Sequence, residues 1–164
     1  MKHNKMFLLV LMLVPWLSVP MLGKRNFKRF LPAAFFMMVW IAVESIMAKK
    51  RVWWKFYEKL IPNTMGELPF LLGPFMIGSI WILKFTFGNF FRYVIVNLVT
   101  DFLFVYPGMF ILKRMGIISL VRMKHYQMGI LFMAKSVLMY GFQYIFEKSR
   151  KKPKSLIQRL LPKK

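Results

Sequence analysis

Long apolar runs alternate with short basic segments along this chain. Residues 6–22 and 68–83 carry no charge at all. Residues 30–48, 93–112 and 128–146 carry one each: Glu44, Asp101 and Lys135. The hydrocarbon core of a bilayer takes about 20 predominantly apolar residues per helix, so these five runs are predicted spans. The first, MFLLVLMLVPWLSVPML, is apolar on every face, unlike a helix with one wet side. No run alternates polar and apolar residues, which argues against strands. The predicted fold class is all-α: a polytopic membrane bundle of five transmembrane helices. Pro15, Pro20, Pro32, Pro69, Pro74 and Pro107 do not veto it, because spans tolerate proline better than soluble helices do. The third run is the shortest and holds Pro69 and Pro74. Four spans plus a re-entrant segment is therefore the alternative, unless Lys84 snorkels and the helix continues toward Phe87. Residues 1–147 form the predicted bundle, and residues 148–164 a basic amphipathic tail. A cleaved leader beginning MKHNK is the less favoured reading of the first run, since SVPMLG offers no small-x-small cleavage pair.

Composition sharpens this picture. The 164 residues include 26 Lys or Arg and 5 Asp or Glu, for a net charge of +21, yet 58% are hydrophobic. A soluble nucleic-acid module would be polar overall with its charge gathered on one face. A disordered basic segment would lack 18 Phe and 15 Met. All but one of the cations lie outside the predicted spans. They divide 11 to 14 between the two sides of a five-span arrangement, or 17 to 8 if the third run is re-entrant. Cations favour the cytoplasmic side, so both counts place the C-terminus in the cytoplasm. The expected location is the cell membrane, multi-pass, with anionic lipid headgroups as the partner of the loops.

Glu44, Asp101 and Lys135 are the ionisable residues inside the spans, and such residues are candidate functional sites. Counting about 1.5 Å per residue along each helix, Lys135 lies between the two acids in depth. It is placed to reach either one. The pair could serve ion coupling or a polar substrate, or act as a structural salt bridge. Asn97, one turn before Asp101, belongs to the same polar face, with hydrogen bonding between helices as its expected use.

Aromatics and cations crowd residues 49–60. Trp53, Phe56, Tyr57 and Leu60 recur at helical spacing, which predicts a short helix in the membrane interface anchored by Trp53, Trp54, Phe56 and Tyr57. Asn63 and Thr64 suit a turn, and Glu67 is placed to complement the dipole of the third helix. In the tail, SRKKPK precedes a small stripe of Leu156, Ile157, Leu160 and Leu161. Arg150, Lys151, Lys152 and Lys154 are the expected headgroup contacts. The two histidines, His3 and His125, form no metal pair, and no phosphate loop or HExxH motif is present. There is no cysteine. The expectation is no enzymatic activity, no cofactor, no metal and no nucleic-acid partner.

The order of KRNFKRFLP after the first span, WWKFYEKLIPN, and then GELPFLLGPF is similar to that in a group of small multi-pass membrane proteins of spore-forming Gram-positive bacteria. The resemblance covers about residues 24–147 and carries over no active-site residue. The expected role is a structural or accessory subunit of a membrane assembly, with a membrane-protein partner. The alternative is a small transporter or substrate-binding component built on the Lys–carboxylate site.

Overall fold

A computed structural model describes residues 2–61 and 64–151. It is mostly helical, with five helices long and apolar enough to cross a membrane. These are α1 (His3–Leu22), α2 (Lys24–Arg51), α3 (Leu68–Thr86), α4 (Phe90–Arg114) and α5 (His125–Arg150). Each contains the apolar run that predicted it and extends into the flanking polar residues. Long Lys and Arg side chains allow this, since their stems lie along apolar surface while their charges stay wet.

Each of the four connections contains one residue in the left-handed region: Gly23, Val52, Gly88 and Gly116. That conformation stops a right-handed helix and reverses the chain. Gly23, with φ of 78°, is the whole connection between α1 and α2. A side chain there would be strained, whereas glycine adopts it freely.

The helices run alternately up and down. Trp81 donates to Ser18 Oγ and Lys84 to the Met21 carbonyl, so α3 runs parallel to α1. Arg29 meets Glu147 and Glu44 meets Lys135, so α5 runs antiparallel to α2. The third helix packs on α1, α2 and α4, and is the most buried of the five. It traverses the body from one end to the other and reaches Thr86. Its central place suits its proline and glycine content, because neighbouring helices pack closely on it.

Prolines shape two helices. A proline removes an amide donor, and its ring crowds the carbonyl four residues earlier. Around Pro74 and Pro107 the turns widen to π-helical geometry, at Leu71–Phe75 in α3 and Phe104–Gly108 in α4. Gly73 lies in the first of these turns, against the backbone of α1. A Cβ there would stand 2.5 Å from the Leu11 carbonyl oxygen and 2.9 Å from Met12 Cα.

The connections α2–α3 and α4–α5 meet at one end. Strand β1 (Trp54–Phe56) pairs antiparallel with β2 (Ile118–Leu120), matching Trp54 to Leu120 and Phe56 to Ile118. This corrects the expectation of an interfacial helix over the tryptophan-rich segment. The backbone there bonds to the other connection: Tyr57 donates to the Ile117 carbonyl, and Val121 donates to that of Trp53. Helical spacing of Trp53, Phe56 and Tyr57 loses to a partner strand some 60 residues away.

Two apolar clusters fill the ends. One gathers Leu8, Phe70, Met109, Met128 and Phe132 beneath the strands. The other gathers Leu22, Phe30, Ile80, Tyr93 and Met139 at the opposite end. On the flanks, Leu17, Phe35, Phe85, Phe91, Phe110, Ile130 and Ile145 all stand exposed. So broad an apolar surface exceeds what a monomer presents to water. Of the tail, helix α5 includes Arg150, which is exposed and lies over the Phe146 ring. The headgroup assignments of Lys152 and Lys154, and the side chain of Lys151, lie outside the described residues.

The Gly73 contact gives a test. Gly73→Ala is expected to push α1 away from α3 and lower stability by about 1–3 kcal/mol, the range for overpacking. A thermal melt in detergent reads it, and Gly78→Ala, where nothing lies within 4 Å of the added Cβ, is the control.

Candidate functional site

Between the two apolar clusters, α2, α3, α4 and α5 border a largely apolar cavity that also carries charged side chains. From α2 comes Glu44, from α4 Asp101, and from α5 Lys135 and Ser136. Lys135 Nζ donates to Glu44 Oε2 at 2.9 Å. Both residues are 7% exposed. The Lys135 ammonium also lies 4.2 Å from the centre of the Phe132 ring, one helical turn earlier on the same face. Of the two acids Lys135 was placed to reach, Glu44 is the one it binds.

Asp101 also lines the cavity but forms no ion pair within 4 Å. Its Oδ2 and Glu44 Oε1 are buried and have no hydrogen-bond partner among the described residues. Asn97, one turn away, does not serve Asp101. Its Nδ2 donates to the Tyr93 carbonyl, and its Oδ1 accepts from Ser136 Oγ at 3.2 Å, linking α4 to α5. Tyr93 adds a second link, its hydroxyl donating to the Ser136 carbonyl at 2.8 Å.

The cavity reaches the strand pair. Trp54, Phe56 and Ile118 line it at that end, with Glu67 from the start of α3. Glu67 stands at the N-cap of α3, where its charge was expected to complement the helix dipole, but its carboxylate makes no capping bond there. It accepts instead from Trp54 Nε1 at 2.6 Å. Gly66 makes this approach possible, since a Cβ there would overlap the Phe56 ring. Phe75 and Phe104, from the two π-helical turns, pack edge to face at 5.3 Å in the cavity wall. π-Helical turns recur at functional sites, and here both face the same space.

Of the predicted anchors, Trp54 and Phe56 thus form cavity wall, Tyr57 is exposed with its hydroxyl 3.1 Å from Ser119 Oγ, and Trp53 packs beside Trp54. Sequence reasoning missed Ser136, Phe75, Phe104 and Phe132 as cavity residues. The available signal was Pro74 beside Phe75 and Pro107 three residues after Phe104, each of which marks a disturbed turn. It also missed the fork at the other end, where Arg29 Nε and its terminal NH2 donate to the two Glu147 oxygens at 2.6 and 2.7 Å. Among the described residues, no group of three or more His, Cys, Asp or Glu could hold a metal ion.

The space measures about 110 Å³. A water molecule needs roughly 10–15 Å³ on this measure, so the cavity admits several waters or one small organic group. Comparison with known proteins returns no match, whether to a protein family, a curated protein or a solved structure.

Removing one member of a buried ion pair leaves the other uncompensated, at about 3–5 kcal/mol, whereas removing both together is often neutral. Lys135→Met alone is expected to lower the melting temperature in detergent. Lys135→Met combined with Glu44→Gln is expected to recover most of the loss. Additive losses in that double-mutant cycle would mean the two side chains do not interact.

Proposed function

We propose that this is a multi-pass protein of the bacterial cell membrane, whose five spans hold a binding site for a small ligand, as a substrate-binding component or small transporter. One observation carries the reading: two residues that line one cavity, Glu44 and Asp101, each hold a buried carboxylate oxygen without a hydrogen-bond partner among the described residues. In a purely structural ion pair the polar groups are expected to satisfy one another. Here Glu44 Oε1 and Asp101 Oδ2 are left over, and both residues line the same space. Sequence alone favoured a structural or accessory subunit over ligand binding; the cavity supports the opposite ranking. Nothing in the site supports catalysis. Among the described residues, neither cavity serine is hydrogen-bonded to a carboxylate, amine or imidazole, and neither histidine is among the lining residues.

The apolar flanks and the basic ends support the membrane location. At the strand end, Lys50, Arg51 and Arg122 surround a groove whose other walls are Trp53, Ile130 and Leu131. A basic rim above apolar side chains suits anionic lipid headgroups, each cation contributing about 1 kcal/mol near the surface. The distribution of cations supports an orientation with the strand end outside and the C-terminus in the cytoplasm.

A chain without cysteine permits single-cysteine labelling against a silent background. In intact cells, a membrane-impermeant thiol reagent is expected to label Lys55→Cys, beside the strands, and to label Lys28→Cys only after permeabilisation. A small neutral thiol reagent is expected to label Ser79→Cys in the cavity wall; the native Ser79 hydroxyl bonds only within its own helix. It is expected to leave Phe110→Cys, on the apolar flank, unmodified. An unreactive Ser79→Cys from either side would return the protein to the structural reading.

A further inference from the structure

The cavity's charge runs against that of the whole protein. The chain has 5 acidic residues and 26 basic ones. Yet Glu44, Glu67 and Asp101 all line this space, with Lys135 as its single cation. Around these charges the walls are aromatic: Trp54, Phe56, Phe70, Phe75, Phe104 and Phe132. Ring faces carry the negative end of the aromatic quadrupole and attract cations. Two buried carboxylate oxygens, Glu44 Oε1 and Asp101 Oδ2, have no donor among the described residues. Glu44 is more than nine-tenths buried. An acceptor-only pair of this kind calls for a group that brings N–H donors and positive charge.

From this we infer that the cavity binds a small amphiphilic organic ammonium, its N–H groups on Glu44 and Asp101 and its apolar part among the phenylalanines. The inference rests on the ligand-binding reading above and names the class of ligand. Lys135 displays the chemistry in tethered form. Its alkylammonium makes one bond to a cavity carboxylate at 2.9 Å and lies 4.2 Å over a cavity ring. A free ammonium has the second oxygen of the same carboxylate, Asp101, and the remaining rings to use. An inorganic cation is a poorer fit, because hard metal ions gather six or more oxygen ligands and no such cluster exists among the described residues. Anions are opposed by three carboxylates against one ammonium. The volume of about 110 Å³ is of the order that holds one benzene-sized group, ~150 Å³ in an engineered apolar cavity. The ligand is therefore one ring or a short alkyl chain bearing a single ammonium.

Three probes of one shape separate charge from hydrophobicity: phenethylammonium, propylbenzene and 3-phenylpropionate. The full chain in lipid nanodiscs is titrated with each by calorimetry. Phenethylammonium is expected to bind at least about tenfold more tightly than propylbenzene, as charge-assisted hydrogen bonds in a dry site should give. Asp101→Asn is expected to weaken the ammonium by about tenfold and to leave propylbenzene unchanged. Among the described residues Asp101 has no ion-pair partner and its buried Oδ2 no hydrogen bond, so this variant keeps the packing contacts, and an unaltered melt verifies that it folds. Equal or tighter binding of propylbenzene or 3-phenylpropionate overturns the cation assignment while leaving a ligand site. Undiminished ammonium binding by Asp101→Asn overturns the role given to that carboxylate. Failure of all three probes, with Ser79→Cys still reactive in the cavity, overturns the cation inference alone. Failure of all three with Ser79→Cys unreactive overturns the ligand-binding reading as well.

Discussion

Moving an ammonium or a carboxylate out of water costs several kcal/mol per ion unless a partner and well-placed hydrogen bonds compensate. The arrangement of this bundle follows from that cost. Twenty-five of its 26 cations lie outside the apolar runs. The one that lies inside, Lys135, is matched on its own level by Glu44 from the opposite strand of the bundle. That contact fixes the register of α2 against α5. Once it is set, the Arg29–Glu147 fork at one end follows, because an antiparallel pair keeps a constant sum of residue numbers along its length.

The cavity depends on irregularity in otherwise regular helices. Side chains from α-helices of uniform pitch would close the space between α3 and α4. Pro74 and Pro107 widen one turn in each, and the rings of Phe75 and Phe104 stand at those turns. Gly73 lets the same part of α3 press on the α1 backbone, so the displaced turn is held from behind. The strand pair closes the adjacent end. It joins two connections that would otherwise be independent loops, and the Trp54–Glu67 hydrogen bond locks it to the start of α3.

The five long helices were legible in the sequence because each carries a long run of uniform apolarity, a signal that needs no partner. The helix ends were harder to read. Polar flanks continue the helix until a left-handed residue such as Gly23 or Gly116 stops it, and only the glycines hint at where. Glu44, Asp101 and Lys135 were legible as a set, since each interrupts an apolar run. Which acid takes the lysine was not, because that depends on helix rotation about the bundle axis rather than on depth. The strands were illegible for a different reason. Three residues are too few to show a period of two, and Trp54 to Phe56 pair with a segment more than 60 residues away. The place of Glu67 in the cavity was illegible for the same cause. It lies outside every apolar run and joins the site only because the strand pair folds Trp54 over it.

Asp101 is the residue that separates a scaffold from a site. A buried ion pair is weak evidence of either, since apolar replacements of matched pairs are often as stable or more so. Glu44 and Lys135 alone would therefore be compatible with a bundle that uses charge only to set register. A third carboxylate with no pairing partner serves no such purpose. It adds a desolvation cost to α4 and places a second negative charge near a lysine already committed to Glu44. Asp101 shares its cavity with Glu44 and Glu67, so three carboxylates stand there against the single ammonium of Lys135. A positive group from outside the chain would complete that balance.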